Sequence, residues 1–325
     1  MQTGTDIAFA ADLLRKGKLV VFPTETVYGL GANAFDAYAV ARVFSVKKRP
    51  TFDPLIVHIS AFGQIEQLFQ SPVDEQVYTL AEAFWPGPLT IVHTKKPEVP
   101  DLVTSGLPTV AVRMPSHPVA AELIMLAGVP VAAPSANLFG CLSPTSANHV
   151  KKQLDEPDYL LDGGQTIFGI ESTVVSVEPC GVRILRHGAI SEESLAAVVT
   201  ILTEKEVGTS GQLPSPGMLK SHYSPRKPLY IIKESNFGKI NAGSGVILKS
   251  AKTNKSFNGI KTISLSENGN LNEIAVNLFA ALHSMEDDPE IKHIFIEPVP
   301  ETGIGKAIMD RLRKASYNYD VEGNS

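Results

Sequence analysis

Hydroxyls and a carboxylate crowd the stretch Pro23-Thr24-Glu25-Thr26-Val27-Tyr28-Gly29-Leu30-Gly31, and the cations of Lys47-Lys48-Arg49-Pro50 follow one short helical segment later. Brought together, side chains of these types form an anion-handling pocket, as needed by an enzyme that acts on a phosphate compound. The apolar run Leu19-Val20-Val21-Phe22 reads as a strand that Pro23 must end, because proline cannot donate to a central ladder. Thr24, Glu25 and Thr26 are therefore delivered at a strand's end. Gly29 and Gly31 permit close backbone approach or a positive φ. Lys47 and Arg49 close a helical pattern over 36–48, and a solvated helix end, where cations complement the macrodipole, is the competing reading of that trio.

Further along, Asp53-Pro54-Leu55-Ile56-Val57-His58-Ile59 places His58 in mid-strand, where a polar ring needs a partner and is ordinarily a satisfied core residue. Arg113 ends the strand Thr109-Val110-Ala111-Val112, and alternation puts Thr109, Ala111 and Arg113 on one face. A guanidinium on a core-like strand calls for a carboxylate or phosphate ligand, or else an internal bridge to an Asp or Glu, and the pattern leaves both open. Ala132-Ala133-Pro134-Ser135-Ala136-Asn137 sets small residues and a hydroxyl at another strand exit, with Ser143-Pro144-Thr145 shortly after; by itself this is turn chemistry. Ile170-Glu171-Ser172-Thr173-Val174-Val175 again sends hydroxyls into a strand, and Arg183 and Arg186 add cations. A Walker-type phosphate loop, a Gly-x-Gly-x-x-Gly, a His-Glu-x-x-His and a Gly-x-Ser-x-Gly elbow are all missing, so a nucleotide handled here needs an unusual pocket.

The elements that must position these groups alternate. Strand patterns at 19–22, 55–59, 89–93, 109–113, 129–133, 173–177 and 182–185 interleave with helical patterns at 36–48, 73–84, 117–126, 146–154 and 191–205, which predicts a mixed α/β domain over 1–205. Gly, Ser, Pro and Lys dominate 206–228. Its prolines exclude regular structure, yet Met218, His222 and Tyr223 are more than a spacer carries, so this linker is expected to act as an active-site lid. Strands at 228–232, 245–248, 260–265 and 293–296, with helices at 271–285 and 304–315, predict a smaller three-layer α/β/α domain over 229–325 and a loose tail after Tyr319. A chain of 325 residues, 43% hydrophobic, can bury cores of this size, and its net charge of −5 argues against a protein that mainly coats nucleic acid. Cys141 and Cys180 lie far apart with no Cys-x-x-Cys spacing, so neither a disulfide framework nor a zinc knuckle is indicated, and a reducing, cytoplasmic setting is expected. The N-terminus has no export pattern and no apolar run approaches the roughly 20 residues that span a bilayer, so no membrane partner is expected.

In order and spacing, P-T-E-T-V-Y-G-L-G, K-K-R-P, D-P-L-I-V-H-I, F-W-P-G-P-L-T, V-A-V-R-M-P, A-P-S-A-N, S-P-T, E-S-T-V-V, I-L-R-H-G-A-I and S-P-G-M-L-K-S-H-Y-S-P resemble the L-threonylcarbamoyladenylate synthase family, in its long form with a YrdC-like catalytic domain. The resemblance implies a twisted, largely open sheet with a concave surface. It implies a nucleotidyltransferase that converts L-threonine, bicarbonate or CO2, and ATP into threonylcarbamoyl-AMP and pyrophosphate, with Mg2+ accompanying ATP and no organic cofactor. The product would supply N6-threonylcarbamoyladenosine in tRNAs that read ANN codons, through a separate transferase partner. By position, Thr26, His58, Arg113, Ala133 (through its backbone) and Thr173 would hold threonine. Arg49, Asp53, Thr109, Ser135, Ser143, Arg186 and Tyr223 would hold ATP, with Lys47 beside its phosphates, while Lys47 and Arg49 stabilise charge in place of a covalent nucleophile and no residue ligates metal. Asp53 stands where many relatives have Asn, and His187 where proline is frequent.

Two other readings stay open. Lys47, Lys48, Arg49, Lys151, Lys152, Arg183 and Arg186 could serve a tRNA or double-stranded RNA binding module, or a weak direct RNA contact in an enzyme. YrdC-like domains also occur in carbamoyl-phosphate-dependent transferases and hydrolases, with extra zinc-finger or acylphosphatase-like segments that this sequence lacks.

Overall fold

The computed structural model describes residues 1–202, 221–252, 257 and 259–320. Strands β1 (Gln2–Gly4), β2 (Val20–Phe22), β3 (Gly29–Asn33), β4 (Ile56–His58), β5 (Leu89–Thr94), β6 (Thr109–Arg113), β7 (Val131–Ala132), β8 (Tyr159–Leu161), β9 (Thr173–Glu178) and β10 (Gly181–Arg186) form one mixed sheet in the order β1-β8-β2-β3-β7-β4-β6-β5-β9-β10. The first and last strands of that order are not paired with each other, so the sheet is open. Alternation sorts its side chains by face. Val57, Val110 and Val112 enter the largest core together with Ile91 and Val175. Ile56 and Ala111 instead join Val92 and Val174 in a small cluster on the opposite face. His58 and Arg113 are register partners in the parallel pair β4–β6, which sets them side by side on that second face.

The helix Ala37–Lys47 delivers the cations. Its N-terminus is capped by the Asp36 carboxylate, which accepts the Tyr38 and Ala39 N–H groups at 3.0 and 3.1 Å. It ends at Lys48, whose φ of 52° is left-handed, and Pro50 follows. Lys47 in the last turn is only 1% exposed, so this helix end is not simply solvated.

A second sheet is wholly parallel: β11 (Leu229–Ile231), β12 (Ser244–Leu248), β13 (Lys261–Ser264) and β14 (His293–Ile296), in the order β11-β14-β12-β13. Helices Leu271–Asp287 and Gly305–Asp320 pack on the face formed by Leu229, Ile231, Ile247, Ile294 and Ile296. Tyr230, Val246, Leu248 and Phe295 gather on the other face with Ile240, Phe257 and Ile260, where the short helix Glu234–Phe237 also lies. Leu142 and Ile170 of the first unit belong to the same apolar cluster as the two long helices, so one core runs across the junction.

Several features differ from the sequence expectation. The Gly29–Asn33 segment is a strand that the sequence pattern does not mark, as are β1 and β8, and Gly31 serves close approach: a Cβ there would lie 2.8 Å from Phe22 and Val131 side-chain atoms. The helix expected at 191–205 is confined to Glu192–Ala196, after which the chain returns to bridge Val182 with Ile201. The helices of the second unit run on to Asp287 and Asp320. Residues 203–220, with Met218 and most of the expected lid, and the tail from 321 lie outside the described residues.

Candidate active site

One cavity over the second face of the large sheet is lined by Thr26, Arg49, His58, Arg113, Ala133, Ser135, Arg186 and Tyr223, bringing together most of the residues singled out from sequence. Its first wall is built where β2 ends. Thr24 ties the turn after Pro23, donating to the Val27 carbonyl at 2.7 Å and accepting the Thr26 and Val27 N–H groups at 3.2 Å each. The turn presents the Thr26 hydroxyl to Arg113, whose Nη1 donates to it at 2.9 Å while Nε donates to the Gly87 carbonyl at 3.3 Å. Arg113 also pairs with Glu25 at 2.6 Å, and both side chains are buried. The guanidinium therefore has its internal carboxylate and still faces the cavity. Burial alone would raise the Glu25 carboxyl, but the adjacent Arg113 holds it below its usual value. His58 is pushed down to about 3, by burial first and the Arg113 charge second, so its imidazole is neutral at physiological pH. Ala133 completes this wall; its N–H donates to the Ile56 carbonyl at 2.9 Å, leaving its carbonyl as the backbone group to offer.

The opposite wall is cationic. Arg49 is held by the Asp53 and Pro54 carbonyls at 3.0 and 2.8 Å and by the Asp53 carboxylate at 2.9 Å. Asp53 is thus the buried counter-charge of Arg49; burial raises its pKa, and Arg49, Lys47 and Arg186 oppose that rise. Arg186 reaches the cavity because β10 bulges: Ile184 pairs with Val175 but Arg186 with Val174, and the extra residue re-aims the end of the strand. Arg186 donates to the Ser172 carbonyl at 2.9 Å and to the Ser172 hydroxyl at 3.1 Å. Gly188 makes this crossing possible, since a Cβ there would fall 2.3 Å from backbone atoms of Ser172 and Thr173. Tyr223 closes the cavity. It is 1% exposed, holds a left-handed φ of 60° and is packed against His222, with ring centroids 4.1 Å apart. Burial and the nearby Glu171 push its phenol up to about 12, so it is a hydrogen-bond donor.

Five expected residues do not line the cavity. Lys47 lies behind it, its ammonium donating to the Ser135 and Asn137 carbonyls at 2.5 Å each. Burial and then Arg49 depress its pKa well below the ordinary lysine value. Asp53 stands behind Arg49. Ser143 donates to Glu171 at 2.5 Å, and Thr173 donates to the Ile190 carbonyl at 2.6 Å. Thr109 shares Arg113's face at the other end of β6.

Sequence reasoning missed Arg311, which lies in the second unit yet bonds Glu171 at 3.1 Å. A signal was present: Ile304, Ile308, Arg311 and Ala315 recur at helical spacing, so Arg311 sits within a buried stripe. The partners of Glu25 and Glu171 had no local signal. The cations of the RNA-binding alternative are largely committed: Lys47, Arg49 and Arg186 are buried, Lys152 pairs with Asp287, and Arg183 pairs with Glu178 at 2.6 Å. Among the described residues, no three His, Cys, Asp or Glu side chains converge as a metal site, and no helix is long and apolar enough to cross a membrane.

Comparison with known proteins agrees with this geometry. The family model of Sua5, YciO and YrdC, described as telomere recombination, matches residues 12–188, and the model of the threonylcarbamoyl-AMP synthase C-terminal domain matches residues 190–316. The chain is 42% identical to the threonylcarbamoyl-AMP synthase of Pyrococcus abyssi over 323 residues, 95% of this chain and 94% of that one. It is also 42% identical to the Bacillus subtilis threonylcarbamoyl-AMP synthase over 325 residues, 95% of this chain and 92% of that one. The crystal structure of P. abyssi Sua5 complexed with L-threonine superposes with a TM-score of 0.87 at 39% identity, covering 97% of each chain.

Proposed function

The chain belongs to the Sua5, YciO and YrdC family, in the form that carries the threonylcarbamoyl-AMP synthase C-terminal domain, and from that membership we propose that it makes L-threonylcarbamoyl-AMP and pyrophosphate from L-threonine, bicarbonate or CO2, and ATP. The observation that carries the reading is the two-sided cavity: a neutral and guanidinium wall of Thr26, His58 and Arg113 facing a cationic wall of Arg49 and Arg186 beneath Tyr223. The relative from P. abyssi was crystallised with L-threonine, which fits the first wall. Arg113 is positioned to take the amino acid's carboxylate, and the Thr26 hydroxyl and Ala133 carbonyl to take its hydroxyl and amine. His58, being neutral, orients the ligand without adding a cation beside Arg113.

Threonine's amine, once neutral, bonds through nitrogen to CO2 and releases a proton to solvent, giving a carbamate. A carbamate oxygen then forms a bond to the α-phosphorus of ATP as the bond to pyrophosphate breaks. Neither step needs a protein nucleophile, because such transfers draw on positioning and charge stabilisation. Arg49 and Arg186 supply charge at the cavity surface, with Ser135 beside them; Lys47 holds the Ser135 carbonyl and Asp53 holds Arg49 from behind, while Ser143 bonds Glu171 and Thr173 bonds the Ile190 carbonyl. Mg2+, if it accompanies ATP, would offset phosphate charge alongside Arg49 and Arg186. The mixed anhydride hydrolyses readily, so a site closed by buried Tyr223 protects it until a separate transferase uses it on tRNA. The cytoplasm is the compartment proposed for this exchange.

The test is pyrophosphate release with each substrate omitted in turn. Release should require threonine, bicarbonate and ATP together; release indifferent to threonine and bicarbonate would overturn the assignment.

A further inference from the structure

The second unit contributes a side chain to the interior of the first. Arg311, on the helix Gly305–Asp320, is 1% exposed. Its Nε donates to Glu171 Oε2 at 3.1 Å, and its Nη1 donates to the His187 carbonyl at 2.5 Å and to the Asp310 carboxylate at 3.0 Å. Its guanidinium carbon stands 5.4 Å from the centre of the Tyr223 ring. Nη2 is buried with no partner among the described residues, as is the Tyr223 hydroxyl.

The position of these contacts in the fold gives them meaning. Glu171 lies just before β9 and His187 just after β10, so Arg311 spans the open mouth of the β9–β10 hairpin. Ser172, Thr173 and Arg186 lie between the two anchor points, and Arg186 is bonded to Ser172 across that mouth. Glu171 passes the connection on, because its other oxygen accepts the Ser143 hydroxyl at 2.5 Å. Since Arg311 uses the carbonyl of residue 187, a histidine or a proline at that place serves equally.

We propose that Arg311 is a positioning residue for the nucleotide half of the site: by clamping the hairpin mouth and stacking on Tyr223, it makes the C-terminal domain a structural part of the catalytic centre. The inference rests on the reaction assigned above. It commits the C-terminal domain to a role in ATP binding, whereas threonine, held by Thr26, His58 and Arg113 on the other wall, should be affected far less.

The test is the full-length protein carrying Arg311→Lys, which keeps the charge but loses the planar fork, and Arg311→Met with Glu171→Gln, which removes the buried pair without stranding either charge. Pyrophosphate release measured against each substrate should show the KM for ATP raised roughly 10- to 100-fold in Arg311→Lys, the worth of one charge-assisted hydrogen bond, with threonine KM within about twofold. Lys306→Ala is the control, because Lys306 makes a separate, solvent-accessible bridge to Glu192 across the same junction at 2.6 Å. It should leave both constants unchanged. An unchanged ATP KM in both Arg311 variants, or equal shifts for the two substrates, overturns the proposal. So does an ATP shift of the same size in Lys306→Ala, which would reduce the effect to domain docking. A wild-type enzyme that releases no pyrophosphate from the three substrates would instead overturn the reaction assigned above.

Discussion

Replacing Arg113 with alanine tests the threonine wall, and the structure sets both its magnitude and its confounding effect. Arg113 is 3% exposed and pairs at 2.6 Å with Glu25, itself 1% exposed. Losing a desolvated charge contact to threonine's carboxylate costs about 2–5 kcal/mol, which is roughly 30- to 5,000-fold in threonine KM. The same substitution strands Glu25, and breaking a buried pair from one side costs about 3–5 kcal/mol of stability. The two effects separate in Arg113→Ala combined with Glu25→Gln, where no buried carboxylate is left unpaired and stability should largely recover. Threonine KM should not recover, because the ligand's partner is still missing. The assay is pyrophosphate release against threonine at saturating ATP and bicarbonate, alongside thermal unfolding. A folded double variant with unaltered threonine KM would show that Arg113 serves only Glu25.

Changing Tyr223 to alanine should lower the yield of threonylcarbamoyl-AMP per pyrophosphate released, because water gains access to the intermediate; an unchanged ratio of the two products would refute the sealing role. Lys48→Gly should stabilise the protein by about 1 kcal/mol in chemical denaturation, since an exposed lysine there holds a left-handed φ of 52°, and a loss of stability would contradict this. Across the junction, His149 and His283 stack with ring centroids 4.0 Å apart, near Lys152, Asp287 and the Ser143 carbonyl. Burial lowers both pKa values, to about 3 for His149, where the charges of His283 and Lys152 add to it, and to about 4 for His283, where the Ser143 carbonyl and Asp287 oppose it, so the folded form binds protons less readily than the unfolded one. Their contribution is complete above pH ~6.5 and falls as pH drops toward 4, by at most about 1.4 kcal/mol per pH unit for His283 and less for partly exposed His149. Hydrogen exchange in the helix Leu271–Asp287 should therefore be faster, relative to its intrinsic rate, at pH 5 than at pH 7.5; equal protection would count against the pair.

Local grammar exposed most of the large sheet. Thr109–Arg113 was legible to the residue, because alternation and a terminal arginine leave little choice of face or end. Asp36 and Pro50 likewise bracket the helix that carries Lys47. Gly29–Asn33 was hidden because glycines carry no strand propensity, although the chain needs them where Phe22 and Val131 crowd in. β1 and β8 are three-residue strands that gain their identity only from distant partners, β1 from β8 and β8 from both β1 and β2. In the site, the sequence supplied residue types but not commitments. It left open whether Arg113 serves a ligand or an internal carboxylate; the internal carboxylate, Glu25, is found only once the turn after β2 is folded against β6, and Arg113 lines the cavity as well. The Arg186 bulge and the Glu171–Arg311 contact likewise depend on chain segments meeting in space.

The buried charges around the cavity explain why so much of the site faces away from the substrates. Lys47, Arg49, Arg113, Arg186 and Arg311 outnumber Glu25, Asp53 and Glu171. Like charges at this density would not stay buried without compensation. The carboxylates neutralise part of the excess, at Arg113, Arg49 and Arg311, while backbone carbonyls of Ser135, Asn137, Asp53, Pro54, Ser172 and His187 supply dipoles for the rest. This arrangement leaves a positive surplus on the side where ATP's phosphates would enter, with the arginines held in place before they arrive. Reorganisation is then small when charge develops at the α-phosphorus, which is the condition under which fixed dipoles and cations lower a barrier most. On the proposed assignment, Asp53 behind Arg49 and Ser143 behind Glu171 would set the charge and position of groups that face the cavity, so removing one should alter turnover more than its distance from the substrates suggests.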